Sequence, residues 1–184
     1  KKYENNKKIL QIFYNFNKGK GFAIRQAQEK VTGDIVIIQD ADLEYNPEDY
    51  FSLIKPIINN EYRVVYGSRV LNKNLFENLK NFSHWIRIIG NIFLTRFSNI
   101  INKQKLTDAH TCYKVFDSRI FKEIDLKEDG FSFCPEITTK ISNMKIKIKE
   151  VPISYNGRDY SEGKKIKSID GILAILTILK YKFF

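Results

Sequence analysis

The sequence predicts an α/β fold, a mostly parallel sheet flanked by helices, on three observations. Short apolar runs at 9–14 (ILQIFY), 35–38 (IVII) and 63–66 (RVVY) alternate with stretches of helical character at 22–31 and 47–58. That is the strand–helix–strand rhythm of βαβ units. The IVII run has no polar alternation, the mark of a strand covered on both faces. Residues suited to chemistry gather just past strand ends, at 40–44 and 67–69, where open α/β sheets bind ligands.

Taken in order, residues 1–8 are polar and read as a loop or helix end, and 9–14, partly β-branched, as the first strand. Residues 15–21 (NFNKGKG) form a turn and 22–31 a helix. Thr32-Gly33-Asp34 punctuates before the strand 35–38. Asn46-Pro47-Glu48-Asp49 starts a helix, with a capping Asn, Pro at its first position and acids in its first turn, running to about Ile58. A strand follows at 63–66, then a long helix over 81–102 carrying Trp85, Ile88, Ile89, Ile92, Phe93 and Phe97 at helical spacing. Residues 113–116 read as a strand and 135–143 as a helix; Lys and Ile alternate over 145–151, a half-exposed strand. A polar loop (156–165, NGRDYSEGKK) precedes a final helix from Ser168 to about Tyr181.

A length of 184 residues suits one domain, and 43% apolar residues provide for a packed core. Cys112 and Cys134 are far apart and the only imidazoles are His84 and His110, which argues against a zinc site or a disulfide framework. No charged-then-apolar leader opens the sequence. The longest apolar run, 172–179, is broken by Thr177 and falls far short of the roughly 20 residues that span a bilayer. With 31 Lys+Arg against 21 Asp+Glu, the net charge of +10 invites an anionic partner: nucleic acid, membrane surface or phosphorylated substrate. No nucleic-acid-binding motif appears, and a Lys-, Asn- and Ile-rich composition also follows from AT-rich coding.

Asp40-Ala41-Asp42, with Glu44 two residues on, ends the strand 35–38. In an extended chain the three carboxylates share one side and repel one another unless a cation sits among them. Hard oxygen donors suit Mg2+ or Mn2+, which also bind phosphate oxygens; the alternative is a solvated acidic turn. Gly67-Ser68-Arg69 ends the next strand, bringing a guanidinium to the same sheet edge. Carboxylates beside Arg69 fit a metal-bound diphosphate. Lys18 and Lys20, in the glycine turn that opens a helix, point to a phosphate cradle, the alternative being solvated lysines. Arg158, Lys164 and Lys165 share one loop before an apolar helix, a grouping suited to an anionic headgroup at a membrane or to a solvated loop before a core helix. Asp108 and His110 could supply a general base, a capping Asp being the alternative for Asp108. For His110 and Glu136, a satisfied surface imidazole and a helix-dipole acid are the simpler readings.

Together these pieces resemble a family 2 glycosyltransferase of GT-A fold, of the dolichyl-phosphate mannose or glucose synthase type. The matching stretches are NKGKGFAIRQA (17–27), VTGDIVIIQDADLEYNPEDY (31–50), VVYGSR (64–69), LTDAHTCYKVF (106–116), FSFCPEITTKI (131–141) and EVPISYNGRDYSEGKKI (150–166). The resemblance implies a catalytic domain over 1–166 and a C-terminal amphipathic helix over 167–184. It implies transfer of a hexose from a GDP- or UDP-hexose donor to a polyprenyl phosphate (dolichyl or undecaprenyl), with inversion. Asp40, Asp42 and Glu44 would serve the metal and donor diphosphate, Arg69 a phosphate, and Arg158, Lys164 and Lys165 the lipid phosphate. The setting implied is the cytoplasmic face of a membrane, with peripheral attachment, and oligomer formation stays open.

Two features of such enzymes are missing from this sequence: an opening strand with a Pro-x-Tyr-Asn-Glu-like motif, and a second strand ending in acids and Gly-Ser. The expectation is a chain that lacks roughly 40–50 residues of a preceding βαβ unit. His110 also stands where many relatives carry a small residue. A phosphate monoester, with its second pKa near ~6, is already anionic at neutral pH and needs no protein base to attack the sugar. A saccharide hydroxyl acceptor would need one, with Asp108 in that role. The remaining alternative is an inactive fragment or a basic binding module.

Overall fold

Ile35–Ile37 (β1), Val64–Ser68 (β2), Lys114–Asp117 (β3) and Ile148–Pro152 (β4) form one sheet ordered β1-β3-β2-β4. The structure is a computed structural model and describes residues 6–71, 82–157 and 168–184. The helices are Lys20–Gln28 (α1), Tyr50–Ile58 (α2), Phe82–Asn102 (α3), Ser118–Glu123 (α4), Phe133–Asn143 (α5) and Ser168–Phe183 (α6). A 3-10 turn at Pro47–Asp49 leads into α2, and Asn46 caps it by accepting from the Glu48 amide at 3.1 Å, as its sequence predicts.

The α/β class holds, but the sheet is mixed rather than mostly parallel. β3 runs antiparallel between β1 and β2, and only β2 and β4 are parallel. β1 is accordingly half-buried rather than covered on both faces. Residues 9–14 form no strand: no ladder partner lies alongside among the described residues, and Leu10 and Phe13 stand exposed. A strand exists only by virtue of its neighbour, so an apolar β-branched run alone does not make one.

β2 is buried throughout because β3 and β4 flank it. α2 and α4 pack directly on the sheet, whereas α3, α5 and α6 pack on one another. Tyr66 of β2 joins the two layers, its hydroxyl 3.1 Å from Thr138 Oγ1 of α5. The buried hydroxyls of Thr138 and Thr139 donate back to the Cys134 and Pro135 carbonyls at 2.9 and 2.8 Å, so α5 buries its polar groups without leaving them unpaired. Every strand end that carries a candidate residue then opens on one side: Asp40 after β1, Arg69 after β2, and the 107–111 turn before β3.

Candidate active site

Asp40, Asp42 and Glu44 do not converge. Leu43 adopts a left-handed backbone (φ 61°), which breaks the extended chain on which a shared side depended. Glu44 turns inward and accepts from the Tyr155 hydroxyl at 2.8 Å. Asp42 Oδ1 accepts from the Glu44 amide at 3.3 Å, and Asp40 Oδ2 holds Lys20 Nζ at 2.7 Å. Among the described residues no three carboxylates, imidazoles or thiols are grouped to hold a metal ion. What remains is a pair of hard oxygen donors on one short loop, one of them held by an ammonium.

The glycine turn packs tightly against residues 128–129. Gly19 has φ 99°, a conformation open to glycine, and a side chain on Gly21 would collide with the Glu128 carbonyl oxygen. The Phe22 amide, in the first turn of α1, already donates to Asp129 O at 3.1 Å. The turn's glycines serve close packing, and what it offers the site is Lys20. Lys18 stands exposed over the rings of Phe16 and Phe22.

Arg69 and Asp108 form the most ordered part of the site. Asp108 Oδ2 accepts from Arg69 Nε at 2.6 Å and from the Arg69 amide at 3.2 Å. Its Oδ1 accepts from Arg69 Nη2 at 2.8 Å and Asn91 Nδ2 of α3 at 3.2 Å. Burial alone would raise this carboxyl's pKa, but the bidentate guanidinium overrides it and holds the value at about 2. With its oxygens engaged and its pKa lowered, this carboxylate is a weak base toward a hydroxyl near neutral pH. It fixes Arg69, whose guanidinium also lies 5.1 Å from the Tyr155 ring centroid.

Residues that sequence reasoning passed over support this pair. Glu150 of β4 accepts from the Thr107 and Asp108 amides at 2.6 and 2.9 Å, clamping the turn on which Asp108 sits. The signal was present: Glu150 interrupts the Lys/Ile alternation with an inward-facing acid. Lys114 is fully buried, donating to the carbonyls of Ala109 and Thr111 at 3.0 and 2.7 Å, with its ammonium 4.1 Å from the Tyr66 ring centroid. The same turn buries His110 Nε2 and Thr111 Oγ1 without partners among the described residues. Burial, then the Lys114 charge, push the His110 pKa down to about 4, so this imidazole is neutral at physiological pH and is not the surface side chain expected. Glu136 is likewise buried rather than a simple dipole acid. Arg158, Lys164 and Lys165 lie outside the described residues.

A low-salt glycan biosynthesis hexosyltransferase of Haloferax volcanii is 29% identical over 142 residues, covering 77% of this chain and 34% of that protein. A UDP-N-acetylglucosamine–dolichyl-phosphate N-acetylglucosaminyltransferase of Methanococcus voltae is 28% identical over 181 residues, covering 95% of this chain and 70% of its own length. This chain thus spans about a third of the length of the first and some two thirds of the second. In structure it is similar to glucosyl-3-phosphoglycerate synthase from Mycobacterium tuberculosis, solved with Mn2+, UDP-glucose and phosphoglyceric acid. The TM-score is 0.62 at 13% identity, over 89% of this chain and 54% of that one, a likeness that establishes the GT-A fold. Residues 1–125 match the family described as Glycosyl transferase family 2, and the chain belongs to that family.

Proposed function

We propose that this chain forms the catalytic domain of a glycosyltransferase that moves a hexose from a nucleoside-diphosphate sugar to a polyprenyl phosphate. The observation that carries the choice of acceptor is the saturation of Asp108 by Arg69 and Asn91. With that carboxylate committed, an acceptor that arrives already ionised suits the site better than a hydroxyl awaiting a base. The dolichyl-phosphate transferase among its relatives supports the same class.

Lys20 and Arg69 supply fixed positive charge at the two strand ends, for the donor diphosphate and for a phosphate of the acceptor respectively. Arg69 is held by Asp108 before any ligand arrives, so its orientation costs little at the moment of reaction. Asp40 and Asp42 fit a divalent cation of the Mg2+ or Mn2+ class, which is commonly bound through one or two carboxylates plus substrate phosphates. Glu44, committed to Tyr155, is not part of that set. Such a cation would neutralise charge on the departing nucleoside diphosphate.

No helix among the described residues is long and apolar enough to cross a membrane. α6 nonetheless exposes Ile169, Ile172, Leu173 and Leu176 along one stripe, and α3 beside it exposes Ile89 and Phe93. A lipid-surface contact by these helices, with Arg158, Lys164 and Lys165 near the headgroup, would bring a polyprenyl phosphate within reach.

The test is an acceptor panel with the full-length gene product, radiolabelled UDP- and GDP-hexoses and added Mg2+ or Mn2+. Label is expected in the organic phase with polyprenyl phosphate, and not with polyprenol. Label that appears only in saccharide acceptors would overturn the reading.

A further inference from the structure

Glu136, near the start of α5, is fully buried, a costly place for a carboxylate unless its oxygens are used. They are. Oε1 accepts from the Lys127 amide and from Lys140 Nζ, each at 2.6 Å, and Oε2 accepts from the Glu128 amide at 2.9 Å. Lys140 Nζ also donates to the Asp125 carbonyl. One carboxylate and its partner lysine therefore tie down residues 125–128.

The continuation of that segment is what the glycine turn rests on. Asp129 O accepts from the Phe22 amide, and Arg25 bonds both Lys127 O and the Asp129 carboxylate. Side chains on Gly19 and Gly21 would strike Asp129 O and Glu128 O. Lys20 stands between these two contacts, with its Nζ 2.7 Å from Asp40 Oδ2 and 3.2 Å from Cys112 Sγ. α6 braces the same segment from elsewhere, Lys180 Nζ and Tyr181 Oη donating to Glu128 Oε1 at 2.9 and 2.7 Å.

We propose that Glu136 is a positioning residue: by holding residues 127–129 against the 19–21 turn, it sets the Lys20 ammonium on Asp40 at the donor side of the site. It touches no reacting atom and acts through Lys20. The proposal rests on the donor-side role given to Lys20 and Asp40 above.

Two readouts keep the proposal and that role apart. The first needs no substrate: acylation of lysines in the full-length protein by an N-hydroxysuccinimide ester, resolved by peptide mass spectrometry. Glu136→Gln is expected to raise labelling of Lys20 several-fold and leave exposed Lys55 of α2 unchanged. The second is kinetic: Glu136→Gln is expected to raise the donor KM by about tenfold and leave the acceptor KM unchanged, with no further effect in a Lys20→Met background. Gly21→Ala attacks the same contact from the other side and carries both readouts if Glu136→Gln does not fold. Unchanged Lys20 labelling in these variants, or donor effects of Glu136→Gln and Lys20→Met that simply add, would overturn the proposal. A donor KM indifferent to Lys20→Met would instead remove the donor role of Lys20, while the labelling still decides the role of Glu136.

Discussion

Arg69 and Asp108 depend on each other, and the dependence is measurable. Asp108→Asn leaves a desolvated guanidinium without its counter-charge and is expected to destabilise the fold by roughly 3–5 kcal/mol in chemical denaturation. Replacing both, as Arg69→Met with Asp108→Leu, is expected to recover much of that stability while transfer stays abolished. Folding lowers the Asp108 pKa from 3.8 to about 2. The unfolded chain therefore binds the proton more readily, and stability on the order of 2 kcal/mol, present above pH ~4, is lost as pH falls toward 2. His110 works the same way at higher pH. Its pKa falls from 6.5 to about 4 on folding, so its neutral form is fully accommodated above pH ~6.5 and stability declines between there and pH ~4. Melting curves across this range should show the decline in the wild type, flattened in His110→Gln. The sequence revealed both residues as chemical types but not their roles. Asp108 was legible as a carboxylate near a strand end; only the fold shows that Arg69, 39 positions away, consumes it.

Among the elements, the loop from Asp40 to Glu44 shows what sequence periodicity misses. Alternation would align its three acids, but the left-handed Leu43 rotates Glu44 onto Tyr155 instead. Leu43 is 89% exposed, so its packing contributes little and its backbone dominates. Leu43→Val, β-branched and poorly suited to positive φ, is expected to lower stability by ~1–2 kcal/mol, read as a fall in melting temperature. All four strands have their sequence pattern, whereas the short α4 has none. α2, α3, α5 and α6 follow from apolar spacing, and the start of α2 also from the Asn46 cap on the 3-10 turn before it, which are local properties. The run 9–14 has the composition of a strand and lacks a partner to pair with, which is a non-local property. On α6, outward-facing Ile172 and Leu176 contribute little to the core. Ile172→Ser with Leu176→Ser is expected to leave the melting temperature within a few degrees and to reduce co-sedimentation with anionic vesicles.

For the whole molecule, the α/β class was legible because strand and helix patterns alternate, and the mixed sheet was not. The order β1-β3-β2-β4 inserts a late strand antiparallel between two earlier ones, a pairing over long sequence separation that no local pattern encodes. The net charge of +10 finds part of its use in Lys20 and Arg69, each paired with a carboxylate at an open strand end. In the proposed reaction the most buried acid of this site, Asp108, serves a cation rather than a proton transfer. The rate of transfer against pH tests this most directly. With polyprenyl phosphate as acceptor, the acidic limb of kcat/KM should fall near the phosphate's own second pKa of ~6. It should move upward when a more basic phosphonate analogue replaces the phosphate. An acidic limb that stays fixed whichever acceptor is used would assign it to a protein base and contradict transfer without one.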